Sequence, residues 1–237
     1  MQLLEKPAQS NQPGEERRPA HRLVYEQLRD QILFGDLTPG QAVTIQGIVE
    51  GLSAGITPVR EAIRRLTSDG ALKMLGNRRI VVPELSRGCI EELEFMRKNM
   101  EPELASRATD RITASDLEVL NQIDIKLNAA IARGNIHGYL TENYRFHAWL
   151  YGVAGAPIIA ATVDRLWLRF GPSLRVVCGR SGTMNLPDKH ADLLKALADR
   201  DPQAARKAMA EDVAQGMSQI SNALHTGQRL TDSIDRP

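Results

Sequence analysis

The run Gly55-Ile56-Thr57-Pro58-Val59-Arg60-Glu61-Ala62-Ile63-Arg64-Arg65-Leu66 constrains this chain more than any other segment. A Thr-Pro pair stands directly before a stretch with helical periodicity. Thr57 is placed to cap the helix, and Pro58 suits its first turn, where a missing N–H has no intrahelical partner to lose. Val59, Ile63 and Leu66 fall on one side of that helix, and Arg60, Arg64 and Arg65 fall on another. A short arginine-bearing helix after a tight glycine turn has the shape and the donors of a major-groove reader. Its guanidinium forks match guanine edges, and their charge suits phosphates.

The flanking sequence completes a unit around this helix. Residues 21–34 read as a helix with Leu23, Leu28, Ile32 and Leu33 apolar. Gly35 closes it, and Asp36-Leu37-Thr38-Pro39-Gly40 forms a turn. Ile45 to Leu52 reads as a second short helix. Gly55 breaks it, and the arginine helix runs to Ser68. After Asp69-Gly70, the segments Ala71–Leu75 and Arg78–Val82 flank Gly76-Asn77 and read as a hairpin. The basic tip, Asn77, Arg78 and Arg79, makes it a wing able to reach a phosphate or the adjacent minor groove. Three helices plus a β-hairpin give a winged helix-turn-helix over residues 21–83, followed by a linker at 84–88.

Beyond Arg87 no strand pattern stands out. Helices are suggested at 87–108, 114–133, 136–152, 156–179, 187–199 and 202–225, with Ser115 and Asp116 as caps of the second and Pro202 in the first turn of the last. Six helices with short connections argue for an all-α antiparallel bundle over 89–225. The fold class is therefore mainly α. Gly179 to Asn185 is an irregular stretch. Residues 1–20 and 226–237 are polar and read as a disordered and a flexible tail.

A net charge of +1 rules out a generic polycation. Any nucleic-acid affinity must come from clustering, and residues 60–79 supply it: Arg60, Arg64, Arg65, Lys73, Arg78 and Arg79 stand against only Glu61 and Asp69. The two cysteines, Cys89 and Cys178, have no metal spacing, fit a reducing compartment and read as buried thiols. No run of ~18 apolar residues suggests a membrane span. Met1 to Ala20 lacks the apolar core of a signal peptide. A cytoplasmic protein is expected.

Residues 23–83 resemble the GntR family of bacterial transcription regulators. The resemblance rests on Tyr25-Glu26-Gln27-Leu28, Gly35, Leu37, Pro39-Gly40, Thr57-Pro58-Val59-Arg60-Glu61-Ala62, Arg65-Leu66 and Gly70. The helical second unit is similar to the FadR-type ligand-sensing domain, the FCD domain. One departure matters: the family usually carries Ser-Arg before Thr-Pro, and here the pair is Gly55-Ile56. Base reading then falls on Thr57, Arg60 and the wing, with Arg64 a weaker candidate. Ile56 is left to meet a thymine methyl.

The resemblance also implies a sensing site. Metal-binding FCD domains carry an aspartate, three residues, then a histidine at the place of Asn143 and His147, and further histidines at the places of His190 and Asp212. This chain keeps two ligand types and exchanges the other two. Two imidazoles, a carboxylate and an amide oxygen suit zinc, nickel, manganese or iron(II). The other reading makes His147 and His190 polar residues of a cavity that bind ligand or water directly. The resemblance places Arg97 and Glu101 at an "arginine, three residues, glutamate" pair whose arginine faces the effector cavity. A plain intrahelical ion pair is the alternative. Tyr144, Arg169 and Arg175 are further effector-contact candidates, whereas Trp149 and Trp167 read as core.

The function so implied is a homodimeric, ligand-responsive regulator that is not an enzyme. It would bind a palindromic operator in double-stranded DNA and act as a repressor released by a small carboxylate effector. A metal-dependent enzyme built on the bundle is the alternative, although no general base stands near the metal candidates. A third reading, an architectural DNA-binding protein, leaves so large a bundle unexplained.

Overall fold

A computed structural model describes residues 19–76, 79–181 and 189–232, with side chains placed up to Cys178 and from Lys189 to Ala223 in the last two segments. Among the described residues the N-terminal unit comprises α1 (Ala20–Leu33), β1 (Ala42–Val43), α2 (Ile45–Gly51), α3 (Ile56–Ser68), β2 (Lys73–Met74) and β3 (Ile80–Val81). Its core forms where α1 packs across α3, joining Val24, Leu28 and Ile32 to Val59, Ile63 and Leu66. These are the apolar stripes of two amphipathic helices.

The start of α3 lies two residues earlier than the expected Thr57 cap implies. Gly55 is its N-cap, with no side-chain cap bond, so Thr57 lies inside the helix. The Gly55 carbonyl accepts the Val59 N–H at 3.3 Å. Pro58 is still in the first turn, where its lack of an N–H breaks no bond. The hairpin is also part of a larger sheet. Three strands pair antiparallel in the order β1-β3-β2, with Ala42 opposite Val81 and Lys73 opposite Val81 on the other edge. The wing residues Asn77 and Arg78 lie outside the described residues.

The second unit is α4 (Arg87–Ala108), α5 (Ala114–Ala132), α6 (Ile136–Val153), α7 (Pro157–Ser181), α8 (Lys189–Ala198) and α9 (Pro202–Asp232). Helix α4 packs along α9 and α5 along α6, with α7 and α8 closing the bundle. The cap of α5 is Thr113, in a reciprocal capping box with Asp116, in place of Ser115. Helix α9 continues past the expected end at 225 to Asp232. Helix α7 runs to Ser181, two residues past its expected end at 179, and 182–188 fall outside the described residues. Two burial expectations fail. Cys89 is exposed while Cys178 is buried, and Trp149, 42% exposed, donates its indole N–H to Asp116 across the surface.

The two units share a tight seam along α7. A Cβ on Gly171 would lie 2.7 Å from the Leu33 carbonyl oxygen, and one on Gly35 would lie 2.3 Å from the Arg175 Cβ. Gly35 also has φ of +75°, which only glycine adopts without strain. The Gly171→Val variant should drive α1 off α7 and cost about 1–3 kcal/mol through overpacking. Thermal unfolding would show this as a lowered Tm, and limited proteolysis near residues 83–87 would show a loosened seam. An unchanged Tm and cleavage rate would contradict it.

Candidate functional site

Two places concentrate chemistry. The first is the outer face of α3. Val59 and Leu66 are fully buried, and this holds the helix so that Ile56, Thr57, Arg60 and Arg64 face outward. Ile56 is 48% exposed. Arg64 is tied to Glu61 by an exposed ion pair, whereas Arg60 has no ion-pair partner among the described residues. The Arg65 guanidinium lies 3.9 Å over the Tyr25 ring and so turns inward against α1. Arg79 is exposed beside the wing.

The second is a cavity in the helical unit, lined by Arg97 of α4, Tyr139, Asn143 and His147 of α6, Trp167 and Phe170 of α7, and Asp212 of α9. Its volume, about 40 Å³, leaves room for roughly two or three water-sized occupants. Asn143 and His147 sit one turn apart on α6 and face inward together. His190, at the start of α8, stacks on Phe146 with ring centroids 4.0 Å apart. His147 Nε2 lies 3.3 Å from Asp212 Oδ2. Burial pushes the Asp212 carboxyl up, but the hydrogen bond and charge of His147, with the charges of His190 and Arg97, outweigh it and hold the pKa at about 2. One donor atom from each of His147, His190 and Asp212 lies within 4.8 Å of the others. Two imidazoles and a carboxylate around one point fit a divalent transition metal, and the Asn143 carbonyl on the same wall can join them.

Arg97 is buried at 3% exposure, Glu101 at 0%, and Arg97 donates from Nε and Nη2 to both Glu101 oxygens. The guanidinium is therefore both an intrahelical partner and a cavity wall. Its carbon lies 3.8 Å over the Phe170 ring and 5.2 Å over Trp167. Glu101 Oε2 also accepts the Tyr151 hydroxyl at 2.6 Å. Burial first, then the Glu101 charge, pushes that hydroxyl well above its ordinary pKa, so it keeps its proton. Trp167, read from sequence as core, is buried but lines the cavity. Its Nε1 lies near the Tyr151 hydroxyl yet makes no hydrogen bond of normal geometry. Nothing in the local sequence distinguishes such a tryptophan from a packing residue.

Tyr144, Arg169 and Arg175 do not line this cavity. Tyr144 donates its hydroxyl to Asp164 at 2.5 Å and accepts from Arg29 of α1, which also reaches Asp164 at 2.7 Å. Arg169 crosses Gly70 at the end of α3, and Arg175 crosses Gly35 at the end of α1. All three belong to the seam between the units, because α7 turns one face to the cavity and the adjoining face to α1.

Comparison with known proteins agrees with this architecture. The family model described as "Bacterial regulatory proteins, gntR family" matches residues 21–82, and the FCD domain model matches residues 92–215. The HTH-type transcriptional regulator McbR of Escherichia coli (strain K12) is 29% identical over 198 residues, spanning 82% of this chain and 90% of its own. The HTH-type transcriptional repressor RspR of the same strain is 26% identical over 212 residues, 85% of this chain and 90% of its own. The solved structure of E. coli McbR/YncC superimposes with a TM-score of 0.81 at 27% identity, covering 87% of this chain and 99% of that one. A GntR-type regulator from Rhodococcus sp. RHA1, with a TM-score of 0.71 at 22% identity over 86% of this chain and 98% of that one, shares the fold. Regulators of this family bind operator DNA and often act as dimers. Among the described residues no helix is long and apolar enough to cross a membrane. The enzyme alternative finds no support among these relatives. With its winged helix-turn-helix joined to a helical sensing domain, the chain belongs to the GntR family of bacterial regulatory proteins, in its FadR-like FCD branch, and is a DNA-binding transcription regulator.

Proposed function

We propose that this regulator is a homodimeric repressor that leaves a palindromic operator when a small organic acid binds in the helical cavity. The observation that carries the sensing half is a buried cavity lined by Arg97, Asn143, His147 and Asp212, with a donor atom of His190 within 4.8 Å of those of His147 and Asp212. His147, His190 and Asp212, with the Asn143 oxygen, would hold a divalent metal. Such a metal supplies a Lewis-acidic centre for a carboxylate. Glu101 uses Arg97 Nε and one Nη2 proton, which leaves the Nη1 protons free for an acid oxygen. Repression is favoured by the likeness to RspR, which is itself a repressor.

The DNA-binding unit is assigned to residues 21–83, the linker to 84–88 and the sensing and dimerisation unit to 89–225, with tails outside them. Operator contact is assigned to Ile56, Thr57, Arg60, Arg64 and Arg79, and on sequence grounds to Asn77 and Arg78. An acid that binds one placement of the units better than the other shifts operator affinity by that difference.

Elemental analysis of untagged protein purified without chelator tests the site. About one transition metal per chain is expected, with most of it lost in His147→Ala. Fluorescence anisotropy on a selected operator should then show release by hydroxy or keto acids. Metal-free protein that still responds to acids would transfer the role to Arg97 and the histidines alone. No response to any acid would refute the proposed effector class.

A further inference from the structure

Both histidines of the candidate cation site are gripped from behind. His147 Nδ1 lies 3.0 Å from the Tyr151 hydroxyl oxygen, and His190 Nδ1 lies 3.2 Å from Asp124 Oδ1 on α5. Proton counting fixes the direction of each bond. Glu101, whose two oxygens both accept from Arg97, is a carboxylate and only accepts. Tyr151 therefore donates its single proton to Glu101, and its oxygen is left to accept from His147. His147 must carry its proton on Nδ1. The Asp124 carboxylate likewise accepts, so His190 donates from Nδ1. Nε2 is then the nitrogen each ring offers inward, and that of His147, 3.3 Å from the Asp212 carboxylate, exchanges its proton for a cation on binding.

We infer that Tyr151 and Asp124 are positioning residues for the cation site, which keep a proton on Nδ1 of each imidazole and so make Nε2 the coordinating atom. The inference rests on the metal reading above. Ring orientation and tautomer set by an outer carboxylate or hydroxyl are worth roughly 10- to 100-fold in metal affinity. The Tyr151 bond also joins the two halves of the cavity. Arg97, Glu101, Tyr151 and His147 form one unbroken hydrogen-bonded chain, so the guanidinium and the first imidazole cannot reorient independently. Phe146 holds the second ring flat against its own, which leaves Asp124 to set only its rotation about the stack.

The probe is Co(II), titrated into the full-length chain and read by visible absorbance, with Zn(II) competition for affinity. Tyr151→Phe keeps the ring and removes the hydroxyl. It should weaken Co(II) binding about 10- to 100-fold and change the absorption envelope. Asp124→Ala should do the same, and Asp124→Asn, whose amide oxygen still accepts from Nδ1–H, should stay close to wild type. This rescue separates positioning from mere loss of structure. If Tyr151→Phe fails to fold, the two Asp124 variants decide. A wild-type chain that takes up no Co(II) overturns the metal reading and this inference together. Wild-type uptake with unchanged affinity and spectrum in Tyr151→Phe and Asp124→Ala overturns this inference alone.

Discussion

Glu101→Ala is expected to destabilise the helical unit by about 3–5 kcal/mol, the usual result of removing one partner of a buried ion pair. Glu101 is fully buried and Arg97 nearly so, and two aromatic rings cover the guanidinium. Without the carboxylate, Arg97 remains charged in a site walled by Phe170 and Trp167, and the Tyr151 hydroxyl loses its acceptor. Urea unfolding followed by circular dichroism measures the loss as a lowered midpoint at unchanged slope. Because the penalty comes from the stranded charge, the double variant Arg97→Met with Glu101→Leu should recover much of it. A loss below about 1 kcal/mol in the single variant, as for an exposed pair, would mean that water entering the cavity solvates Arg97, and the buried-pair account would fail.

Arg60→Ala should remove sequence preference from DNA binding and leave the fold intact. A bidentate arginine–guanine contact discriminates by about 1–3 kcal/mol. Two copies on a palindrome double that, to a loss of roughly 30-fold at the least. Arg60 is exposed on a helix whose opposite face is sealed into the core, so its truncation creates no cavity. Arg64→Ala should cost less, since Arg64 is already engaged by Glu61. Duplexes selected from a random pool, followed by anisotropy at several salt concentrations, separate the two effects. Residual salt-dependent binding without preference is the expected remnant. Wild-type affinity and preference in Arg60→Ala would show that another surface reads the bases.

The elements legible in the sequence were those whose signal is local. An apolar stripe at helical spacing, bounded by glycine or by a cap, places α3 and α4 within two residues of their observed ends. The start of α3 was misread because Thr-Pro suits both a cap and a first turn. Only the Gly55 carbonyl bond to Val59 distinguishes the two. Strand β1 was invisible: two residues carry no period, and their pairing to β3 is long-range. The seam was equally hidden. Tyr144 meets Arg29 across 115 positions of chain, and one helical spacing cannot tell whether a tyrosine beside Asn143 faces the cavity or the neighbouring unit. Asp212 was found only through family spacing, whereas its closeness to His147 depends on how α9 lies against α6.

The partition between sensing cavity and DNA-reading unit is one side chain thick. Trp167 lines the cavity on one edge, and its ring lies 5.5 Å from that of Tyr144, whose hydroxyl grips Arg29 of α1. Leu33 rests on Gly171 immediately after Phe170, another cavity residue. Anything that makes space for itself beside Trp167 and Phe170 therefore presses on the seat of α1 without passing through residues 84–88. The tether between the units restrains them, while the shared wall informs them.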